Sequence, residues 1–415
     1  MDKSSQEKKE IPRGFVADPF PYHQEIDLQI ETLTNLGWGL GRIDGWVVMV
    51  PFCLPGERVR ARIFRNKPNF SEGDLIEVLE SSPERVEPTC PLFTTCGGCQ
   101  YQHLSEAGQR DWQRQQVAEL YQRLAGVQNP PVLPTHPSPR QYGYRSKLTP
   151  HWDKPRADGV PGAVGFLQFG KRQLVDVPQC PIATEAINKA LPEAREELRK
   201  KGKRSGKRKG GTLLLRDAME GVVTDPKAVV TERVGQFTFQ FRAGEFFQNN
   251  PFILPELVEA VGEIAGHPEI RYLVDTYCGS GLFAISLHQH FERVTGIEIS
   301  ASSIQWAINN AAINRVTNCD FQIGFAEAIF ESISFPAAEC MVLVDPPRKG
   351  CDAEFLQQLL AFRPRRIAYV SCDPSTQARD VKVCREAGYR LIQVEPFDLF
   401  PQTRHIEAVA FLEIN

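Results

Sequence analysis

Two side chains in the last fifty residues of this sequence could share one piece of covalent chemistry. Cys372, in Ser371-Cys372-Asp373-Pro374, directly follows the apolar run RRIAYV, and Glu407 stands in the run HIEAVAFL. A thiolate adds to electron-poor double bonds, and its reactivity needs a partly exposed site that lowers its pKa. A carboxylate that alternates with apolar residues can face a cleft and take up a proton. Read singly, Cys372 is packing and Glu407 a solvated strand residue. Read as a pair, they supply a nucleophile and a base. Another strand end carries Asp345-Pro346-Pro347-Arg348-Lys349-Gly350 after CMVLV. Its two prolines fix a stiff turn at the carboxyl edge of a sheet, where ligands bind in open α/β folds.

Asp275-Thr276-Tyr277-Cys278-Gly279-Ser280-Gly281 follows a buried-type strand and opens a helical stretch. Small residues at 279 and 281 let the backbone approach a ligand, and the helix N-terminus adds positive potential. Glu298 ends the next strand-like run, where its carboxylate can accept hydrogen bonds from both hydroxyls of a ribose. The run Gly279-Ser280-Gly281-Leu282-Phe283-Ala284 also satisfies the relaxed dinucleotide pattern, so the loop alone leaves NAD open. Hydride transfer gives no reason for the Asp-Pro-Pro turn or for Cys372.

The elements that must position these groups follow from the patterning. From about Gly244 onward RYLVDTYCG, RVTGIEI, CMVLVDPP, RRIAYVSC, YRLIQVEPF and HIEAVAFL alternate with helical stretches, which predicts a doubly wound parallel sheet over 244–415. Residues 1–22 read as a flexible leader. Residues 23–82 hold four or five short β-rich runs punctuated by turns, the pattern of a small OB-like barrel. Residues 83–243 form a central, mostly β region. A helix from Ser105 puts Val117, Leu120, Tyr121 and Leu124 on one face, and a Pro-rich stretch crosses 129–139.

Hydrophobic residues make up 42% and charged residues 24% of the 415, which excludes wholesale disorder, collagen and coiled coil. No run approaches the ~18 consecutive apolar residues of a membrane span. The first fourteen residues lack the apolar stretch of a secretory signal, so a soluble cytoplasmic protein is the expectation. The net charge is −3, but residues 199–209 (RKKGKRSGKRK) hold eight of the 48 basic residues, leaving 40 against 51 acidic ones elsewhere. That run reads as a solvated loop or as a phosphate-binding arm.

Eleven cysteines in a chain of this kind are expected as free thiols, metal ligands or catalysts rather than disulfides. Cys90, Cys96 and Cys99 have the spacing C-x5-C-x2-C, which is not that of a zinc ribbon, and Cys180 could add a fourth thiolate. Four such ligands suit Zn²⁺ or a [4Fe–4S] cluster equally.

Taken together, FFQNN at 246–250, DTYCGSGLF at 275–283, DPPRKG at 345–350, SCDP at 371–374 and HIEAVAF at 405–411 resemble the RNA uracil-C5 methyltransferase family. The N-terminal region resembles the TRAM domain, an RNA-binding barrel, and the four cysteines resemble the cluster-bearing branch. The resemblance implies a class I methyltransferase using S-adenosylmethionine, with Cys372 adding to C6 of the uracil and Glu407 removing the C5 proton. Carried over by position, cofactor contacts fall on Gln248, Tyr277, Glu298 and Asp345. Leu282 departs from an Asn found in some relatives, and Ala326 lacks an expected polar side chain.

The same resemblance implies a structural [4Fe–4S] cluster on Cys90, Cys96, Cys99 and Cys180, and a monomer. It favours 23S ribosomal RNA as substrate, with transfer RNA as the alternative. The target base must be flipped from loop or single-stranded RNA. Tyr142, Tyr144, Arg145 and Lys147 are candidate stacking and phosphate groups, and the barrel and the 199–209 run would add nonspecific electrostatics. Two rivals differ in class. A cluster-dependent methylthiolating enzyme would need C-x3-C-x2-C, and a noncatalytic RNA-binding or assembly factor would not need Cys372 and Glu407.

Overall fold

Between Glu25 and Glu80 apolar and charged residues alternate, the condition for strands with one buried face. The computed structural model describes residues 11–153, 162–205, 210–265, 268–324 and 329–414. In it this segment forms six strands, β1 (Glu25–Gln29), β2 (Thr32–Leu33), β3 (Trp38–Ile43), β4 (Trp46–Pro51), β5 (Arg58–Asn66) and β6 (Phe70–Glu80). They make one sheet of order β1-β5-β6-β4-β3-β2, antiparallel except for β4 and β6. Val59, Ala61 and Ile63 of β5 point into a core shared with Leu28, Val48 and Val50. Gly41 of β3 lies so close to β1 that a Cβ there would stand 2.1 Å from the Gln29 carbonyl oxygen, so only glycine permits this approach. The end of the expected leader is ordered against this core: Phe20 is buried, and the Asn66 amide donates to the carbonyls of Val16 and Phe20 at 2.7 Å each. Residues 1–10 lie outside the described residues.

These strands, with residues 100–108, form one compact unit, and residues 89–99 with those from 109 onward form a second. The second unit takes in helix α1 (Glu106–Leu124) from Gln109 onward and the short strands β7 (Lys147–Leu148), β8 (His151–Trp152), β9 (Val164–Leu167) and β10 (Leu174–Asp176). Helix α2 (Glu185–Ser205) follows, then β11 (Gly211–Thr212), β12 (Leu215–Ala218), β13 (Gly221–Val223) and the hairpin β14 (Val229–Val234) and β15 (Phe237–Arg242). The basic run is a helix rather than a loop as far as Ser205, because lysine and arginine are good helix formers and one glycine does not break them. Residues 206–209 lie outside the described residues.

Helix α1 differs from its expected apolar stripe. Val117 and Tyr121 are buried, but Leu124 is 39% exposed and the buried polar positions are Gln109, Gln113 and Gln116. Buried amides need partners, and the loop before the last strand supplies some of those of Gln109 and Gln113. Gln113 Nε2 donates to Asp398 at 2.8 Å, Gln109 Nε2 donates to Gln402 Oε1 at 3.1 Å, and the Gln402 amide N–H returns a bond to Gln109 at 3.0 Å.

The C-terminal part holds a seven-stranded sheet of β16 (Tyr272–Thr276), β17 (Arg293–Glu298), β18 (Cys319–Ile323), β19 (Cys340–Val344), β20 (Arg366–Ser371), β21 (Arg390–Phe397) and β22 (Glu407–Glu413). Its order is β18-β17-β16-β19-β20-β22-β21. All neighbours are parallel except β22, which runs antiparallel between β20 and β21. Successive side chains serve opposite faces. Leu273, Met341 and Leu343 pack with α3 (Leu254–Ala265) and α4 (Leu282–Ser286), while Val274, Val342 and Val344 pack with α6 (Ala353–Phe362) and α7 (Pro374–Glu386). Helix α5 (Ala301–Ile313) joins β17 to β18. This doubly wound architecture matches the expectation, with β18, too polar to stand out in the sequence, added at one edge. No helix among the described residues is long and apolar enough to cross a membrane.

Candidate active site

Each chemistry-bearing residue sits just past, or at, the end of a strand. After β16 the chain turns sharply, with Tyr277, Gly279 and Gly281 all at positive φ, 61°, 53° and 89°. A bulky residue in the left-handed region costs ~1–3 kcal/mol and marks a backbone held for function. Glu298 ends β17 and accepts from the Gly279 N–H at 3.3 Å and the Ser300 N–H at 2.9 Å.

Gln248 belongs to the loop after β15. That loop is fixed by the Ser146 N–H donating to the Asn249 carbonyl at 2.8 Å and by buried Asn250, whose amide donates to Ser138 and to the Leu399 carbonyl. The hairpin behind the loop is tied to α5. Asn310 exchanges bonds with the Gln240 peptide, at 2.7 and 3.1 Å, and Asn314 does the same with Thr238, at 2.8 and 2.7 Å.

Asp345 and Arg348 stand on the turn after β19. Buried Asp380 of α7 holds that turn from beneath, accepting from the Cys351 N–H at 2.9 Å and the Tyr369 hydroxyl at 2.7 Å. Cys372 follows β20, and the next residue, Asp373, caps α7 by accepting from the Ser375 N–H at 3.0 Å. Glu407 is the first residue of β22, opposite Phe397 of β21, and is buried. All six candidates, Gln248, Tyr277, Glu298, Asp345, Cys372 and Glu407, line one cavity of about 870 Å³, with Arg145, Arg348 and His405. Sequence reasoning gives Arg348 and His405 no role, although they stand in DPPRKG and HIEAVAF beside Asp345 and Glu407.

Burial disfavours the charged forms of the candidate groups. Burial pushes the Cys372 thiol up to about 11, reinforced by Glu407 and Asp345, while the charge and a hydrogen bond from Arg348 pull it back. Burial raises Glu407 well above the usual carboxylate range, and Asp345 adds to this. Burial raises Asp345 to about 7. An acid whose folded pKa exceeds its unfolded one binds extra protons in the native state, so its contribution is full below about 4 and is lost as pH rises through about 7. Asp345→Asn is therefore expected to stabilise the ligand-free protein by about 1–3 kcal/mol at pH 8 and to have little effect at pH 4. Thermal melts across pH check this, and an advantage that does not grow with pH would contradict it.

The cavity suits a nucleoside-bearing methyl donor. Glu298 offers a carboxylate, a Cβ at Gly279 would meet nothing within 4 Å, and Ile299 presents an apolar surface that is 67% exposed. Leu282, buried, offers no polar side chain there. Ala326 lies outside the described residues.

The remaining expectations fare unevenly. Tyr144 cannot stack on a base: it is fully buried, and its hydroxyl donates to the Pro401 carbonyl at 3.0 Å. Lys147 is engaged with the carbonyls of Gly244 and Glu245. Of the four candidate RNA contacts, Arg145 alone lines the cavity. Cys90, Cys96, Cys99 and Cys180 are half-buried neighbours in the second unit, and Cys96 lies within electrostatic reach of both Cys90 and Cys180. Burial raises the thiols of Cys96 and Cys180, the latter to about 11, and the backbone amides of Gly98 at Cys96 and of Ala183 and Ile182 at Cys180 pull them partway back. Yet among the described residues no three His, Cys, Asp or Glu side chains converge as ligands of one metal ion. The donor chemistry fits a thiolate-bound group, but the structure shows no metal site.

Residues 222–415 match the family tRNA (Uracil-5-)-methyltransferase, and residues 23–76 match the TRAM domain. The chain is 41% identical over 420 residues to the tRNA (uracil(54)-C(5))-methyltransferase of Schizosaccharomyces pombe, covering 95% of this chain and 79% of that one. It is 34% identical over 475 residues to the enzyme of the same name from Saccharomyces cerevisiae, covering 94% and 74%. The crystal structure of Pyrococcus abyssi tRNA (uracil-54, C5)-methyltransferase in complex with S-adenosyl-L-homocysteine superposes with a TM-score of 0.69 at 25% identity, over 93% of this chain and 100% of that chain. With the fold, the cavity and these likenesses in agreement, the chain belongs to the RNA uracil-C5 methyltransferases, S-adenosylmethionine-dependent enzymes that here carry a TRAM domain.

Proposed function

We propose that this enzyme methylates C5 of a transfer RNA uridine, the one at position 54, with Cys372 as nucleophile and Glu407 as base. The observation that carries the chemistry is the convergence of Cys372, Glu407, Asp345 and Arg348 on one cavity. The family resemblance in the sequence favours 23S ribosomal RNA, and no local motif reads the target. The two fungal relatives, named for tRNA uracil 54, turn the preference to transfer RNA.

S-adenosylmethionine, when bound, supplies an electrophilic methyl group on a positively charged sulfur. Uracil C5 is a poor nucleophile until Cys372 bonds to C6. The ring π electrons then move through C5 and C4 onto the oxygen at C4, and the resulting enolate takes the methyl at C5. Glu407, as carboxylate, removes the C5 proton; the C5–C6 double bond re-forms and Cys372 leaves as thiolate. Burial favours the protonated form of both groups, so the reaction requires each to give up its proton before it acts, and Arg348 beside the sulfur favours the thiolate. A tRNA transcript with uridine 54 is expected to be methylated, whereas its cytidine-54 version and a 23S fragment are not. Mapping 5-methyluridine in each product tests this, and methylation of the 23S fragment alone would return the preference to ribosomal RNA.

The four cysteines belong to the same reading as ligands of a [4Fe–4S] cluster, supported by the four-thiol donor set and by the electrostatic reach of Cys96 to both Cys90 and Cys180. Anaerobically purified protein is then expected to carry about four irons and four acid-labile sulfides per chain. Stoichiometric zinc would overturn this.

A further inference from the structure

We propose that His405 selects uracil over cytosine by donating its Nε2–H to the oxygen at ring position 4. This rests on the nucleophile-and-base reading of Cys372 and Glu407. His405 lies two residues before Glu407, with Ile406 buried on the opposite side, and both His405 and Glu407 line the cavity that holds Cys372. The imidazole Nδ1 faces Arg348 Nη2 at 3.5 Å. A guanidinium can only donate, so Nδ1 is the acceptor and the ring proton sits on Nε2. Phe400 meets the ring edge-on, with centroids 6.1 Å apart and planes at 76°, and so fixes its orientation.

The ring is also kept from becoming a cation. Burial, then Arg348, Arg404 and Arg145, lower its pKa to about 4, and Asp373 opposes them weakly. At neutral pH it is a fixed donor of one hydrogen bond. Uracil presents an acceptor at position 4, whereas cytosine presents an amino group whose hydrogens would face the imidazole N–H. A buried donor left without an acceptor costs about 1–3 kcal/mol. The same donor also serves the reaction, because addition of sulfur at C6 places negative charge on the oxygen at position 4. Arg348 links the two events, touching His405 with one side and Cys372 with the other.

The experiment uses full-length protein and two tRNA transcripts, one carrying 5-fluorouridine at position 54 and one carrying cytidine there. Wild-type protein should trap the fluorinated transcript covalently; failure of that control would sink the nucleophile assignment and leave His405 aside. His405→Ala is expected to form the adduct about 10²-fold more slowly and to be inhibited by the cytidine transcript about tenfold more effectively, relative to uridine, than wild type. His405→Gln, which retains an N–H donor, should recover part of both losses. Binding of S-adenosyl-L-homocysteine checks that each variant is folded, and the glutamine variant stands in if the alanine variant is not. If wild type traps and the folded variants trap equally fast with unchanged preference, or if glutamine rescues neither readout, His405 does not read position 4.

Discussion

Cys372→Ala is expected to lower methyl transfer to tRNA by roughly 10³-fold or more, about 4 kcal/mol in the barrier, and to abolish covalent trapping by 5-fluorouridine tRNA. The size follows from the substrate. Without a sulfur at C6 the ring has no enolate, and positioning alone does not make C5 nucleophilic. The substitution removes one half-buried sulfur at the edge of a cavity, so the fold should be retained, and binding of S-adenosyl-L-homocysteine should be close to wild type. Denaturing gels of enzyme mixed with fluorinated transcript give the decisive readout. A covalent complex that persists in the alanine variant would place the nucleophile elsewhere.

Glu407→Gln acts later in the reaction. Addition and methylation should proceed, whereas loss of the C5 proton should slow by about 10²–10⁴-fold, so a methylated, covalently attached tRNA should accumulate even with ordinary uridine. The variant is a clean probe because burial favours the neutral form of Glu407, and glutamine resembles that form in shape. It should therefore melt no lower than wild type. Rapid turnover without adduct would remove Glu407 from the role of base, and Asp345, also on the cavity wall, would be the next carboxylate to test.

The parts of this site that could be read from the sequence are those whose chemistry and backbone signal coincide. Cys372, Asp345 and the Gly279–Gly281 loop each follow an apolar run and stand in a turn rich in proline or glycine, so their place at strand ends was legible locally. What escaped depends on contacts distant in sequence. Tyr144 looks like a stacking residue until the loop at Pro401 covers it. The pairing of Arg348 with His405 spans 57 residues. The glutamines of α1 read as a solvated face, yet they are buried against Asp398 and Gln402. The 199–209 run reads as a loop from its charge density, yet its lysines and arginines are good helix formers and the helix continues to Ser205. The choice of RNA target escaped because no short motif encodes it.

The two asparagines that tie α5 to the β14–β15 hairpin have a consequence for how the protein behaves in a crowded solution. A helix rises ~6 Å over four residues and a strand ~6.8 Å over two, so amides at 310 and 314 fall into step with the peptides of Gln240 and Thr238. Each carboxamide offers one acceptor and one donor, as a neighbouring strand would. The free margin of a two-stranded ribbon, ordinarily a template for a foreign chain, is thereby capped by side chains of its own molecule. Alanine at both positions would leave that margin open to self-association.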